Sequence, residues 1–211
     1  MPHDSSLSGD DPSATASSPA VRKRMKPGER RAQILQMLAT MLEQPGAERI
    51  TTAALSAKLG VSEAALYRHF ASKAQMFEGL IDFVEQSVFA FVRQIADREP
   101  AGPAQVARTV ALILQFAEKN PGMARVMTGD ALVFENERLQ ERMNLLFDKL
   151  ESTFKQSLRD GGPPSDTPTV DAQVTASLLV AFMMGRMQRF ARSGFKRLPS
   201  ENLQASLARV L

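Results

Sequence analysis

The residues best suited to chemistry lie between Thr51 and Lys73, and the chemistry they suit is the reading of a duplex. Ser62, Glu63, Ala64, Ala65 and Tyr67 occupy a short stretch that opens like a helix. Small side chains at Ala64 and Ala65 let a helix sit deep in a major groove against thymine methyls, and the Glu63 carboxylate can accept from a cytosine amino group. Thr51, Thr52, Arg68, His69 and Lys73 flank this run with hydroxyl, imidazole and cationic groups that suit phosphate oxygens. Ser72 is placed to cap a following helix, so Lys73 stands beside its electropositive end, where a phosphate binds. Catalysis lacks its parts. The two histidines are His3 and His69, cysteine is absent, and no Ser-His-Asp set, Gly-rich phosphate loop or metal-ligand cluster can be assembled. We expect no enzyme, no metal and no cofactor. Glu135 and Glu137 stand at a helix start, where capping accounts for them.

These groups need elements to hold them. Ala54, Leu55 and Leu59 share one face of a first helix, Gly60 supplies the positive φ that ends it, Val61 buries the corner and Ser62 caps a second helix. This is the layout of a helix-turn-helix. A plain helical hairpin with a glycine turn also fits the turn alone, but helix lengths, caps and basic residues agree on the DNA reader. Upstream, Ile34, Leu38 and Leu42, with Leu35 and Met41, predict an amphipathic helix over 29–43 closed by Pro45-Gly46. Leu66 and Phe70 complete a small core, giving a DNA-binding domain over 27–73.

Charge follows the same division. Residues 1–21 carry three Asp and no base, −3; residues 22–73 carry ten Lys or Arg against four Glu, +6; residues 74–211 carry sixteen of each sign. A basic balance confined to the reader segment is what phosphate neutralisation requires. Residues 1–26, rich in Ser, Pro, Ala and Asp, are expected to be a disordered tail. Its basic end, Arg22 to Lys26, suits either an arm that touches phosphates or a minor groove, or a solubilising tail.

From 74 to 211 the chain predicts a larger helical domain. Phe77, Leu80, Ile81, Val84, Val88, Phe91 and Ile95 mark a long helix from Ser72, ended by 99–103. Val106, Val110, Ile113, Leu114 and Ala117 mark another, halted by Asn120-Pro121-Gly122, with a short piece over 123–127 and a turn at Thr128-Gly129-Asp130 in which Asp130 is a candidate cap. Leu139, Met143, Leu146, Leu150, Phe154 and Leu158 predict a long helix before Gly161-Gly162-Pro163-Pro164. The stretch 171–192 is apolar around most of its circumference, through Val174, Leu178, Leu179, Val180, Phe182, Met183, Met184 and Met187. That suggests a subunit interface, with Leu178 and Phe182 in it, formed with the 139–158 helix and the two-fold mates of both. Leu203, Leu207 and Val210 end the chain in a short helix. No strand pattern occurs, so the expected fold is all-α.

The sequence resembles the TetR family of dimeric regulators, whose reader helix ends in the pattern seen as Tyr67-Arg68-His69-Phe70. Within that family it is similar to the nucleoid occlusion factors. The likeness lies in Ile50-Thr51-Thr52-Ala53, the run from Gly60 to Phe70, and Ser72-Lys73 with Met76-Phe77. Far from the reader it continues in Asn120-Pro121-Gly122, Thr128-Gly129 with Ala131-Leu132, Phe134-Glu135, Arg138-Leu139-Gln140, and Arg192-Ser193 with Phe195-Lys196. It covers about 30–199. Ala71 stands where Pro is usual, Asp130 where His is usual; the tail before Arg22 is longer, and the loop 161–168 differs. The resemblance implies a homodimer on palindromic double-stranded DNA, with dimers side by side on one duplex, antagonising polymers of the tubulin-like division protein FtsZ. It implies that the FtsZ C-terminal tail docks near Phe83, Leu112, Lys119 and Asn120. Phe83 and Leu112 lie off the apolar stripes of their helices, so periodicity leaves them exposed, in a groove, or packed on a neighbour. Lys119 is placed to pair with an acidic tail or with the C-terminal dipole of its own helix. No apolar run of about 18 residues exists for a membrane span and no signal-peptide pattern opens the chain, so the expected location is the cytoplasm, at the nucleoid. The competing reading is a ligand-responsive repressor of the TetR type, whose Met- and Phe-rich helices enclose an apolar pocket.

Overall fold

A computed structural model describes residues 28–44 and 49–211. The expectations for the tail 1–26, its basic end Arg22 to Lys26, and a helix closure at Pro45-Gly46 lie outside the described residues. Those residues form nine α-helices: α1 (Glu29–Leu42), α2 (Thr52–Leu59), α3 (Glu63–Tyr67), α4 (Lys73–Ala96), α5 (Pro103–Lys119), α6 (Pro121–Met127), α7 (Glu137–Gly161), α8 (Pro168–Arg192) and α9 (Leu203–Leu207), with one 3-10 turn at Asp130–Leu132. No strand occurs among them.

The reader is built from local signals. α1 buries Ile34, Leu38 and Leu42 at helical spacing, and they meet Leu55, Leu66 and Phe70 in one core. The eight-residue α2 is too short for a wide apolar face: Leu55 and Ser56 are buried, Leu59 is half-buried, and Ala54, expected on that face, is exposed. Ser56 tolerates burial because its hydroxyl donates to Ala53 O at 2.9 Å. Val61 is half-buried, so the corner is less enclosed than expected. Gly60 ends α2 with φ 64°, and Val61 N–H then donates to Ser56 O at 3.0 Å. A Cβ on Gly60 would meet nothing within 4 Å, so Gly60→Ala isolates the backbone cost. We expect it to destabilise the chain by about 1 kcal/mol, the usual left-handed penalty. A urea midpoint lowered at unchanged m-value checks this.

α4 begins inside the reader and runs out of it. Ser72 Oγ accepts from Gln75 N–H at 3.1 Å, and Gln75 Oε1 accepts from Ala71 N–H at 2.6 Å. This reciprocal pair resembles a capping box, and a proline at 71 would have no N–H to give it. α1 also packs on α6, where Gly122 permits close approach: a Cβ there would come within 2.2 Å of Ala39 O. Asn120-Pro121-Gly122 therefore does more than halt α5. Pro121 occupies the first turn of α6, where its missing N–H costs nothing.

The larger bundle is held chiefly by α7 lying along α8. α7 buries Leu139, Met143, Leu146, Phe147, Leu150, Phe154 and Leu158 in one stripe. Asn136 caps α7 by accepting from Arg138 N–H at 3.1 Å. Asp130 is not a cap: Gly129, at φ 80°, takes the position before the 3-10 turn and no side chain caps it. Pro168 opens α8 three residues ahead of the expected start at 171. No described helix is long and apolar enough to cross a membrane.

Candidate nucleic-acid interface and partner groove

The start of α2 and the start of α3 are set side by side by their own side chains. Thr51 Oγ1 accepts from Ala54 N–H at 3.1 Å and Ser62 Oγ from Ala65 N–H at 3.3 Å, which satisfies one orphan donor in each first turn. Thr52 Oγ1 donates to Glu63 Oε2 at 2.6 Å, linking the two helices directly. Thr51, Ser62, Glu63, Ala64, Tyr67 and Arg68 are exposed on this edge, while Thr52, Ala65, His69 and Lys73 are half-buried. Ser62, Glu63 and Ala64 thus open α3 with no bulky side chain among them, and Tyr67 stands one turn further on, 47% exposed. This edge carries the hydroxyls of Thr51, Thr52 and Ser62.

Two interactions join residues too far apart for sequence reasoning. Arg31 of α1 donates from Nη1 to His69 O and lies 4.0 Å over the Phe70 ring, fixing the end of α3 against α1. Lys73 Nζ forms an ion pair with Glu135, whose side chain is 8% exposed, and lies 5.6 Å from the Phe77 ring centre. Glu135 is therefore a tether between the reader and the larger bundle, which corrects its expected role at a helix start. Glu137 does lie in the first turn of α7.

A phosphate reaching Lys73 would compete with Glu135 for the same ammonium. We expect Lys73→Ala to weaken binding to every duplex and to reduce the slope of log K against log salt by about one. Anisotropy titrations at several salt concentrations measure it; an unchanged slope assigns Lys73 to the tether alone.

The tether continues as a ladder along α4. Glu78 pairs with Arg138, and Arg142 reaches Asp82 at 2.6 Å and both Glu85 oxygens at 2.6 and 3.0 Å. Bonding to Glu85 above all, then to Asp82, raises the proton affinity of Arg142 despite its partial burial, so it stays cationic at every working pH. One face of α4 is thus clamped to α7, and another carries Phe83.

Phe83 is 49% exposed. Its ring lies 5.8 Å from Phe116 of α5, and Phe91, also of α4, lies 6.0 Å from Phe116. Leu112, one turn before Phe116, is half-buried; Lys119 is exposed at the end of α5. Asn120 Nδ2 donates to Phe116 O at 2.7 Å and so helps fix the last turn beneath the aromatic ring. Phe83 of α4 therefore meets Phe116 of α5, whose helix also carries Leu112 and Lys119 and ends at Asn120; Phe91 and Phe116, which periodicity had placed in the core stripe or passed over, join that contact. On α8, Leu178 is 52% exposed beside exposed Val170, Val174 and Met184, and Phe182 is half-buried beneath Arg186, whose guanidinium lies 4.5 Å over its ring.

Two family models match the chain. The one described as bacterial regulatory proteins, tetR family, covers residues 34–80, and the one described as tetracyclin repressor-like, C-terminal domain, of the SlmA-like type, covers residues 102–210. The nucleoid occlusion factor SlmA of Idiomarina loihiensis is 51% identical over 83% of this chain and 90% of its own length. That of Alteromonas mediterranea is 47% identical over 90% of this chain and 96% of its own. Among solved structures, a TetR-like transcriptional regulator from Rhodococcus superposes with TM-score 0.70 at 19% identity, over 88% of this chain and 97% of that one. The regulator FadR of Bacillus subtilis, solved with stearoyl-CoA, gives TM-score 0.65 at 12% identity, over 85% of this chain and 96% of that one, and these two share the fold. With both the reader and the C-terminal bundle matched, the chain belongs to the SlmA family of TetR-type DNA-binding regulators.

Proposed function

We propose that the chain acts as a nucleoid occlusion factor: a dimer on palindromic chromosomal DNA that antagonises FtsZ polymerisation when DNA-bound. The observation that carries this reading is identity of 51% that extends across the regulatory bundle as well as the reader. The exposed Phe83 resting on buried Phe116 supports it, since an exposed, backed aromatic ring offers an anchor to a peptide tail. Lys119 at the end of α5 offers charge to an acidic tail. Base contacts fall to Ser62, Glu63, Ala64, Ala65 and Tyr67, and phosphate contacts to Thr51, Thr52, Arg68, His69 and Lys73.

α4 supplies the route from DNA to groove. Phe83 lies ten residues along α4 from Lys73, about 15 Å at the usual helical rise. Fixing the reader on DNA fixes the first turn of α4, and the Arg138 and Arg142 ladder carries that position to the segment bearing Phe83. The coupling is reciprocal: the FtsZ tail raises DNA affinity by the factor by which DNA raises tail affinity.

The ligand-responsive repressor remains the second reading, motivated by the methionine-rich bundle. Met123, Met127, Met143, Met183 and Met187 are each 3% exposed or less, within the packed core. That favours plain packing over a pocket lining.

FtsZ pelleting separates the two. Operator DNA with the protein should reduce the pellet, whereas protein alone or with scrambled DNA should leave it nearly intact, and Asn120→Ala should weaken the operator effect. If operator DNA makes no difference, or an apolar small molecule releases the DNA, the repressor reading replaces this one.

A further inference from the structure

The neutral balance of residues 74–211 hides a concentrated positive charge. From Arg186 to Glu201 the chain carries Arg186, Arg189, Arg192, Lys196 and Arg197 against one acid, Glu201. After α8 the chain folds back across the last turns of that helix, and Arg186 holds it there. Its Nη1 donates to Pro199 O at 2.9 Å and to Glu201 O at 2.6 Å, and its Nη2 donates to Ser206 Oγ at 2.9 Å. With its face stacked on Phe182, Arg186 is mainly a strut.

The strut leaves a cavity of about 370 Å³ walled by Arg186, Arg189, Arg197, Glu201, Asn202 and Ser206. The guanidinium groups of Arg189 and Arg197 make no hydrogen bond or ion pair among the described residues. Burial and then Arg189 lower the proton affinity of Arg186, and Glu201 opposes them only as the weaker influence. Three guanidinium groups thus face one space with a single carboxylate among them. Their mutual repulsion is relieved when an anion enters.

We propose that this cavity binds a phosphate-bearing anion, gripped by the unpaired guanidinium groups of Arg189 and Arg197 in the field of Arg186. The planar fork of arginine matches phosphate oxygens two at a time, which a carboxylate-poor cavity leaves it free to do. The volume lies at the lower end of the range for small-ligand sites, roughly 300 to 1,000 Å³, and accommodates a short polyphosphate. The site shares no residue with the reader or with the Phe83 groove, so it stands or fails independently of the FtsZ reading.

The test is calorimetric titration of the full-length protein with inorganic triphosphate at fixed ionic strength. Saturable binding is expected, weakened by roughly tenfold or more in Arg189→Gln/Arg197→Gln, as loss of charge-assisted bonds requires. Operator affinity of that variant should match the parent and so report its fold. If the double variant fails to fold, Arg197→Gln alone, at an exposed position, decides by the same criterion. ATP should bind within about twofold of triphosphate, since the arginines read phosphate groups and not the base. Absent saturable binding, binding unchanged by the substitutions, or binding of ATP without triphosphate each overturns the assignment.

Discussion

Leu178→Asp is expected to convert the dimer to monomer and to weaken operator binding by about 10²- to 10⁴-fold, the advantage lost when two linked half-site contacts become one. α8 has two apolar faces. One, through Ala176, Leu179, Met183 and Met187, is buried within the chain; the other leaves Leu178 52% exposed between exposed Val174 and Met184. Ser177, Ala181 and Gly185 on the exposed side are small enough to let a second helix approach. α7 adds exposed Leu145. A soluble monomer seldom leaves such a contiguous apolar strip in water. Across a two-fold axis one substitution places two carboxylates in the interface, each costing several kcal/mol when buried unpaired. Phe182→Asp should act in the same direction, but it also removes the ring beneath Arg186, so Leu178 gives the cleaner result. Light scattering reads the mass and anisotropy reads the DNA. A mutant that stays dimeric and binds normally moves the interface off this face.

The reader was legible because its signals act over a few residues. Gly60, Ser62 and Ser72 each do their work within four positions, and Leu66 and Phe70 follow from periodicity. The Lys73–Glu135 tether spans 62 positions, and no spacing rule announces a pair that tertiary packing alone brings together. Arg142 with Glu85 is of the same kind, 57 positions apart. Asp130 was misread for a different reason: Asp is a good cap in isolation, but Gly129 already held the left-handed conformation before the turn. Ala54 was misread because alanine is apolar enough to suit either face of a short helix. In α8 the composition showed an apolar circumference but not its division, since Leu178 and Leu179 are chemically alike and only the positions of α5, α6 and α7 decide which one is covered.

Phe83→Asp is expected to abolish binding of the FtsZ tail while leaving operator affinity within about twofold of the parent. An exposed aromatic that anchors a partner is the type of side chain whose loss costs about 2 kcal/mol or more, some 30-fold in affinity. Here the ring rests on Phe116, so half of it is already supported and the other half is available to a partner. The substitution also sets a carboxylate where an acidic tail would lie. Lys119→Glu should act through charge alone, chiefly slowing association and reversing the salt dependence, because Lys119 is exposed and makes no ring contact among the described residues. Asn120→Ala is less direct: Asn120 holds Phe116 O, so its loss can loosen the ring that supports Phe83 without any contact to the tail. The three variants therefore separate contact, charge and support in the same groove. Anisotropy of a labelled FtsZ tail peptide, with and without operator DNA, distinguishes them. If Phe83→Asp retains tail binding, the surface where α4 meets α5 is not the docking site. If tail binding is lost while operator affinity is kept, Phe83 is a tail contact, and the coupling itself is read in the parent as the factor by which saturating tail raises operator affinity.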